Sequence, residues 1–124
     1  MSDQGEKPSP PELELLLCVL KDYRQLDMVL EGLLELGIGG ATVVDARGMA
    51  QVLSKDVPIF SGLSSLFPGG NADSHLLLSV LRADRIEQVT RLIEDVCGDF
   101  SAPGSGILFT VPVRRAKGLP EGLA

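Results

Sequence analysis

The stretch that decides the fold is Gly104-Ser105-Gly106-Ile107-Leu108-Phe109-Thr110-Val111-Pro112-Val113. A Gly-x-Gly turn leads here into a short apolar run rich in β-branched residues, which is typical of a strand. Pro112 has no amide hydrogen, so this end of the strand is predicted at a sheet edge or a bulge. The run closes the second of two similar strand–helix–strand units, which residues 48–73 separate.

The first unit begins with an almost continuous apolar run over residues 13–20. Its length alone allows a helix, but a new helical pattern starts after Lys21 and Asp22, so the run is predicted as a central strand. The predicted helix has one apolar face and a mostly acidic opposite face. The apolar face comprises Leu26, Val29, Leu30, Leu33, Leu34 and Leu36, and the acidic face Asp27, Glu31 and Glu35. Gly37 is expected to end the helix, and residues 41–46 form a second strand.

The second unit repeats this order. Residues 76–81 are predicted as a strand, and Asp84 with Glu87 resembles a capping box at the start of a helix. The apolar residues at helical spacing in that helix are Ile86, Val89, Leu92, Ile93 and Val96. Gly98 is expected to end the helix, and residues 108–113 form the fourth strand.

Right-handed crossovers with both helices on one face predict an α+β, ferredoxin-like βαββαβ sandwich with a four-stranded antiparallel sheet. Nothing predicted covers the other sheet face, which is therefore the expected oligomer surface. We expect residues 1–12 to be a disordered tail, residues 13–117 to form one domain that includes the long loop 48–73, and residues 118–124 to be a C-terminal tail.

Composition excludes several classes of protein. The chain has 124 residues, of which 44% are apolar, so apolar surface is left over for self-association. A net charge of −6 and few aromatic residues argue against nucleic-acid binding. No apolar run reaches the ~20 residues of a membrane span, and the N-terminal residues are polar, so we expect a cytoplasmic protein without membrane insertion.

The residues do not indicate an enzyme. Cys18 and Cys97 lie in apolar periodic segments and are predicted as buried small side chains rather than a disulfide or redox pair. His75 is the only histidine and lacks the partners of a metal site. Ser64, Ser65 and Ser105 have no base that the sequence assigns. No catalytic or metal-binding residue and no required cofactor is therefore predicted.

The loop of residues 48–73 is too long for a simple connector. Apolar residues at helical spacing lie in its middle, ahead of Pro68, and predict a short amphipathic helix that packs on the body or on a neighbouring subunit. These residues are Ile59, Phe60, Leu63, Leu66 and Phe67. An ordinary packed loop remains an alternative.

Over most of residues 13–113 the pattern resembles the PII signal-transduction (nitrogen regulatory P-II) superfamily. The strongest parts are residues 33–44, Arg47-Gly48-Met49 and the Gly104-Ser105-Gly106 turn ahead of the last strand. The resemblance implies trimers that bind adenine nucleotides and 2-oxoglutarate between subunits. It also implies that the long loop contacts target enzymes, transcriptional regulators or transporters. The only tyrosine, Tyr23, lies outside the loop, and the loop is apolar, which suggests an atypical PII-like branch.

The resemblance also supplies a candidate ligand site in an intersubunit cleft. Gly48 matches a glycine at the base of the family's loop, and Gly104 and Gly106 match the glycines of its phosphate-cradling turn, where backbone amides approach a phosphate. The family lysine after this turn is Ile107 here, and its two C-terminal arginines fall on Gly118 and Pro120. The complete predicted ligand set is Arg47, Gly48, Gly104, Ser105, Gly106, Arg115 and Lys117.

Three functions follow as hypotheses. The first is a PII-like trimeric regulator that senses a small anionic effector, an adenine nucleotide among the candidates, and acts through residues 48–73 on a target protein. The second is a non-catalytic structural or binding trimer with a decayed nucleotide site. The third is an enzyme or metal-binding trimer, because a fold does not fix a function.

Overall fold

A four-stranded antiparallel sheet and two helices form the two layers of the protein in a computed structural model, which describes residues 12–49, 52–53, 74–102 and 105–119. The elements in chain order are β1 (Leu13–Leu20), α1 (Tyr23–Glu35), β2 (Thr42–Ala46), β3 (Ser74–Arg82), α2 (Ile86–Cys97) and β4 (Ile107–Val113). The strand order is β2-β3-β1-β4, with β1 in the centre as predicted. The ferredoxin-like fold is therefore confirmed, and Pro112 lies in an edge strand.

The core lies between the two helices and one face of the sheet, called here the covered face. Strands β1 and β3 contribute alternate residues to it, because side chains of a strand point to opposite faces in turn. The fully or almost fully buried apolar residues are Leu16, Cys18, Leu20, Leu77 and Leu81 from the sheet and Val29, Leu33, Val89 and Ile93 from the helices. Burial of these side chains is the main stabilising contribution to the fold.

The opposite face of the sheet, called here the open face, is also apolar. Strand register places Leu17 between Leu78 of β3 and Phe109 of β4, and Val19 between Leu76 and Ile107. Ile107 is 52% exposed and Phe109 is 44% exposed. Large apolar side chains therefore meet solvent in a single chain, as the sequence predicts for an oligomer surface.

Helix α1 ends as its sequence predicts. The Gly37 backbone has φ 79°, a value that favours glycine, and its amide donates to the Leu34 carbonyl. The Ile38 amide donates to the Leu33 carbonyl at 2.8 Å, which completes a Schellman motif. The placement of Leu34 on the apolar face is wrong, because this side chain is 69% exposed. One turn of helix offers more leucines than the covered face can accommodate.

The predicted capping box at Asp84 and Glu87 is also wrong. Residues Ala83–Arg85 form a 3₁₀ turn, so α2 has Arg85 as its N-cap and no side-chain cap. The Asp84 carboxylate instead accepts two hydrogen bonds from the Arg82 guanidinium, at 3.1 and 2.6 Å. A two-bond contact with a charged donor outcompetes the backbone amides of the helix for this carboxylate.

Two predicted segments fall outside the described residues: the tail up to residue 11 and the amphipathic helix around residues 59–67. At the other terminus, Leu119 is described, and it lies beside Leu78 and Val80, with which it lines a cavity of about 310 Å³. The chain after β4 therefore runs back across one end of the open face.

Candidate functional site

A cavity of about 410 Å³ lies at the root of the long loop, at the end of the sheet where β2 ends and β3 begins. Asp45, Ala46, Arg47, Ser74 and His75 line it. Strand pairing produces this arrangement, because Asp45 is the register partner of His75 and Ala46 is the register partner of Ser74. The chain thus leaves and re-enters the sheet at the wall of one cavity, called here the loop-root cavity.

The polar side chains of the loop-root cavity are held by specific contacts. His75 Nδ1 lies 3.2 Å from Asp45 Oδ1. The His75 side chain is 17% exposed, whereas the Asp45 side chain is 94% exposed. Lys21 Nζ, beyond the end of β1, donates to the buried Ser74 hydroxyl at 3.3 Å. One guanidinium, one ammonium, one imidazole and one carboxylate group therefore lie in or beside this cavity.

The predicted glycine turn lies at the same end of the sheet but at its other edge. Gly106 has φ 125°, and a Cβ built on it would lie 2.4 Å from the Val19 carbonyl oxygen. Glycine at this position is thus required by the fold itself. Replacing Gly106 by valine, which would otherwise test ligand binding, would disturb the junction with β1. The partner glycine of the turn, Gly104, lies outside the described residues.

The predicted ligand residues do not converge within one chain. Arg47 and Gly48 follow β2 at one sheet edge, and Ser105 and Gly106 precede β4 at the other, about 14 Å away at ordinary strand spacing. Arg115 and Lys117 follow β4 at the opposite end of the sheet, about 20 Å along the strand. A site that contains all of them needs residues from more than one subunit.

The C-terminal cations instead line a second cavity. Arg114, Arg115 and Lys117 share a space of about 930 Å³ with Glu12 and Glu14 near the start of β1. The three cations face two carboxylates there, so the net charge of this wall is small. All three side chains belong to exposed residues, which is typical of a solvated surface.

Both cysteines are free. Burial, and to a lesser extent the neighbouring Cys97, raises the pKa of the Cys18 thiol to about 12. Burial also raises the pKa of Cys97. A thiol with a raised pKa is a poor nucleophile near neutral pH, so these cysteines behave as the small apolar side chains that the sequence predicts.

Sequence reasoning missed Asp45, Ser74 and Lys21 as site residues and treated His75 only as a metal-site candidate. The signal that could have found them is register: once β2 and β3 are paired, Asp45 and His75 fall opposite each other. Within the described part of the chain, no three His, Cys, Asp or Glu residues group as metal ligands do. Neither α1 nor α2, nor any other described helix, is long and apolar enough to cross a membrane.

The strand order and the two helices on one face of the sheet define a ferredoxin-like fold. A search of solved structures finds a similar fold in PII of Arabidopsis thaliana, in a crystal structure with bound citrate. That structure is 20% identical to this chain, with a TM-score of 0.58, over 87% of this chain and 83% of the PII chain. No family model matches the chain. A search of curated proteins finds no matching relative.

Proposed function

We propose that this chain is a PII-like trimeric regulatory protein that senses a small anionic effector, such as a nucleotide, and acts on a partner protein. The observation that carries the proposal is the loop-root cavity, whose wall contains Arg47 and Ser74, the residues that flank the long loop on either side. Its volume of about 410 Å³ lies in the usual range of small-molecule sites. A ligand held there contacts both roots of the loop at once.

The charges of the loop-root cavity favour a small anion. Arg47 lines the cavity, Lys21 is bonded to its Ser74 wall, and His75 adds an imidazole. Guanidinium and ammonium groups bind carboxylates and phosphates by charge-assisted hydrogen bonds. Asp45 limits the net positive charge, so the site suits an anion of lower charge than ATP.

The loop gives the effector a route to a partner. Arg47 is the first residue after β2, and Ser74 is the first residue of β3. An anion that bridges these two positions biases how the loop leaves the sheet, which is the differential contact that a ligand-driven switch requires. The target protein would bind to the loop of residues 48–73. It could be an enzyme, a regulator or a transporter.

The open face supports assembly as a homotrimer. Residues of all four strands contribute apolar side chains to it, and Val44, Ile107, Phe109 and Val111 are each at least 39% exposed. Apolar patches of this kind mark interaction surfaces. The predicted ligand set, whose parts lie apart within one chain, likewise requires residues from more than one subunit.

Thermal-shift measurements with ATP, ADP, AMP, cyclic nucleotides, citrate and bicarbonate test the proposal. A ligand at a hundred times its dissociation constant stabilises the folded state by about 2.7 kcal/mol. We expect one of these anions to raise the melting temperature of the wild type. Arg47→Gln should abolish that shift, whereas Arg114→Gln, at the opposite end of the sheet, should keep it. A shift that survives Arg47→Gln would place the effector elsewhere.

A second candidate is a structural or binding trimer whose nucleotide site has decayed. The observation that favours it is the loss of cations from the family pattern, where Ile107, Gly118 and Pro120 stand in place of lysine and arginines. This candidate predicts a stable trimer whose melting temperature none of the anions changes.

A further inference from the structure

We propose that His75 makes the loop-root cavity a proton-linked anion site, which binds a carboxylate or phosphate anion more tightly as the pH falls and the imidazole becomes charged. The inference rests on the proposed function, because it concerns the regulation of the same cavity. It assigns a role to His75 and Asp45, two residues outside the ligand set that the sequence predicts.

The geometry pairs the imidazole with a carboxylate in the wall of the cavity. His75 Nδ1 lies 3.2 Å from Asp45 Oδ1, and both residues line the cavity. Uncharged histidine shares one hydrogen bond with this carboxylate. Charged histidine forms an ion pair with it and offsets the negative charge of Asp45, which otherwise repels an incoming anion. The second ring nitrogen is then also a donor.

Among the described residues around this cavity, histidine is the side-chain type whose charge ordinarily changes near neutral pH. The charged groups from the neighbouring elements are Asp45 of β2, Arg47 after β2 and Lys21 after β1, while the Asp22 side chain caps α1 by accepting from the Arg24 amide. Aspartate, arginine and lysine ordinarily carry the same charge throughout the neutral range, whereas histidine changes charge between about pH 5 and pH 8.

His75 is also the only histidine of the chain. The two thiols stay uncharged in the neutral range, because burial raises the pKa of both. A change in anion affinity within that range can therefore be assigned to one side chain by one substitution.

The coupling is reciprocal. An anion beside the imidazole favours its charged form, and the charged form favours the anion by the same free energy. Anion binding to the form with an uncharged imidazole therefore takes up a proton.

Isothermal titration calorimetry with sulfate and tartrate tests this, because neither probe changes charge between about pH 6 and about pH 8. We expect wild-type protein to bind at least one probe about five- to tenfold more tightly at the lower pH, which is the low end of ordinary coupling between sites. His75→Gln should bind that probe at both pH values with the weaker affinity of the wild type at about pH 8. His75→Asn serves as a second variant, and circular dichroism checks that both remain folded.

The outcomes separate the two proposals. Suppose that Arg47→Gln abolishes binding. The proton linkage alone is then overturned if the wild-type affinity is equal at both pH values. It is also overturned if the pH dependence of the affinity persists in His75→Gln. Binding that Arg47→Gln leaves intact means that the anion lies outside the cavity, which overturns both proposals. Failure of both probes to bind at either pH overturns the proton linkage alone, because the proposed function is tested separately by thermal shift with nucleotides and other anions. Arg114→Gln is the matched control and should bind like the wild type.

Discussion

Both faces of the sheet carry large apolar side chains, but the two faces have different environments. On the covered face, Leu16, Leu77 and Leu81 are at most 1% exposed beneath the two helices. On the open face, Val44, Ile107 and Phe109 are between 44% and 52% exposed in a single chain. Strand composition therefore does not decide which face is sealed within the chain. Helices α1 and α2 of the described residues pack on one face only, and an exposed apolar face of this kind is typical of an interaction surface.

The largest expected effect comes from truncating a leucine of the covered face. Leu77→Ala should lower the free energy of unfolding by about 2 to 5 kcal/mol, because it removes buried methyl groups and leaves a cavity. Chemical denaturation followed by circular dichroism measures this loss. We expect it to be the same at every protein concentration.

Leu78→Ala is the matched variant on the open face, one residue further along β3. Its cost should depend on protein concentration, because Leu78 is only partly buried within one chain and becomes fully buried only when subunits associate. A loss that is equal for both variants and independent of concentration would show that the two faces are covered alike within one chain.

A smaller effect is expected at the boundary between the two helices. Arg85 Nη2 donates to the Leu36 carbonyl at 2.6 Å, just beyond the end of α1. The contact satisfies a helix-end carbonyl and places a cation at the negative end of the helix dipole. Arg85→Ala should therefore cost about 1 kcal/mol, whereas Arg91→Ala, which removes an exposed pair with Glu87, should cost less. Equal melting temperatures for the two variants would contradict this assignment.

The smallest perturbation is chemical labelling of the cysteines, which measures how accessible the covered face is to a reagent without any substitution. At about pH 8, iodoacetamide should modify half-buried Cys97 before fully buried Cys18, since access and thiolate formation both limit the reaction. Mass spectrometry of the labelled peptides gives the order. Stability should also decrease above about pH 9, as thiols that fold with raised pKa values ionise more readily in the unfolded chain. Faster labelling of Cys18 would show that the covered face opens.

The elements of the fold could be predicted from the sequence because each has a strong local signal. The apolar run of β1 and the periodic faces of α1 and α2 place these elements closely, and Gly37 and Gly98 end the helices with positive φ as expected. Leu34 and the capping box at Asp84 were misplaced for a common reason. Leu34 competes with neighbouring leucines for space beneath the helix, and the Arg82 guanidinium competes with the helix amides for Asp84. A periodic sequence pattern does not show which of the competing contacts forms.

The candidate site was less predictable because it depends on pairing between distant segments. Arg47 and Gly48 were identified through family resemblance, and the structure places Arg47 in the loop-root cavity. His75, Ser74 and Asp45 join it only because β2 pairs with β3 in one register, which no local signal reveals. Arg115 and Lys117 were assigned to the same site, yet within one chain they lie at the other end of the sheet.

Sedimentation equilibrium of the wild type at micromolar concentration tests the central claim most directly, namely that the open face assembles this chain into a regulatory trimer. We expect a mass three times that of the 13.2 kDa chain. We also expect Phe109→Ser, which removes an exposed aromatic side chain from the open face, to dissociate the trimer while the far-ultraviolet circular dichroism stays unchanged. A stable wild-type monomer, or a Phe109→Ser variant with the same trimeric mass and concentration dependence as the wild type, would contradict it.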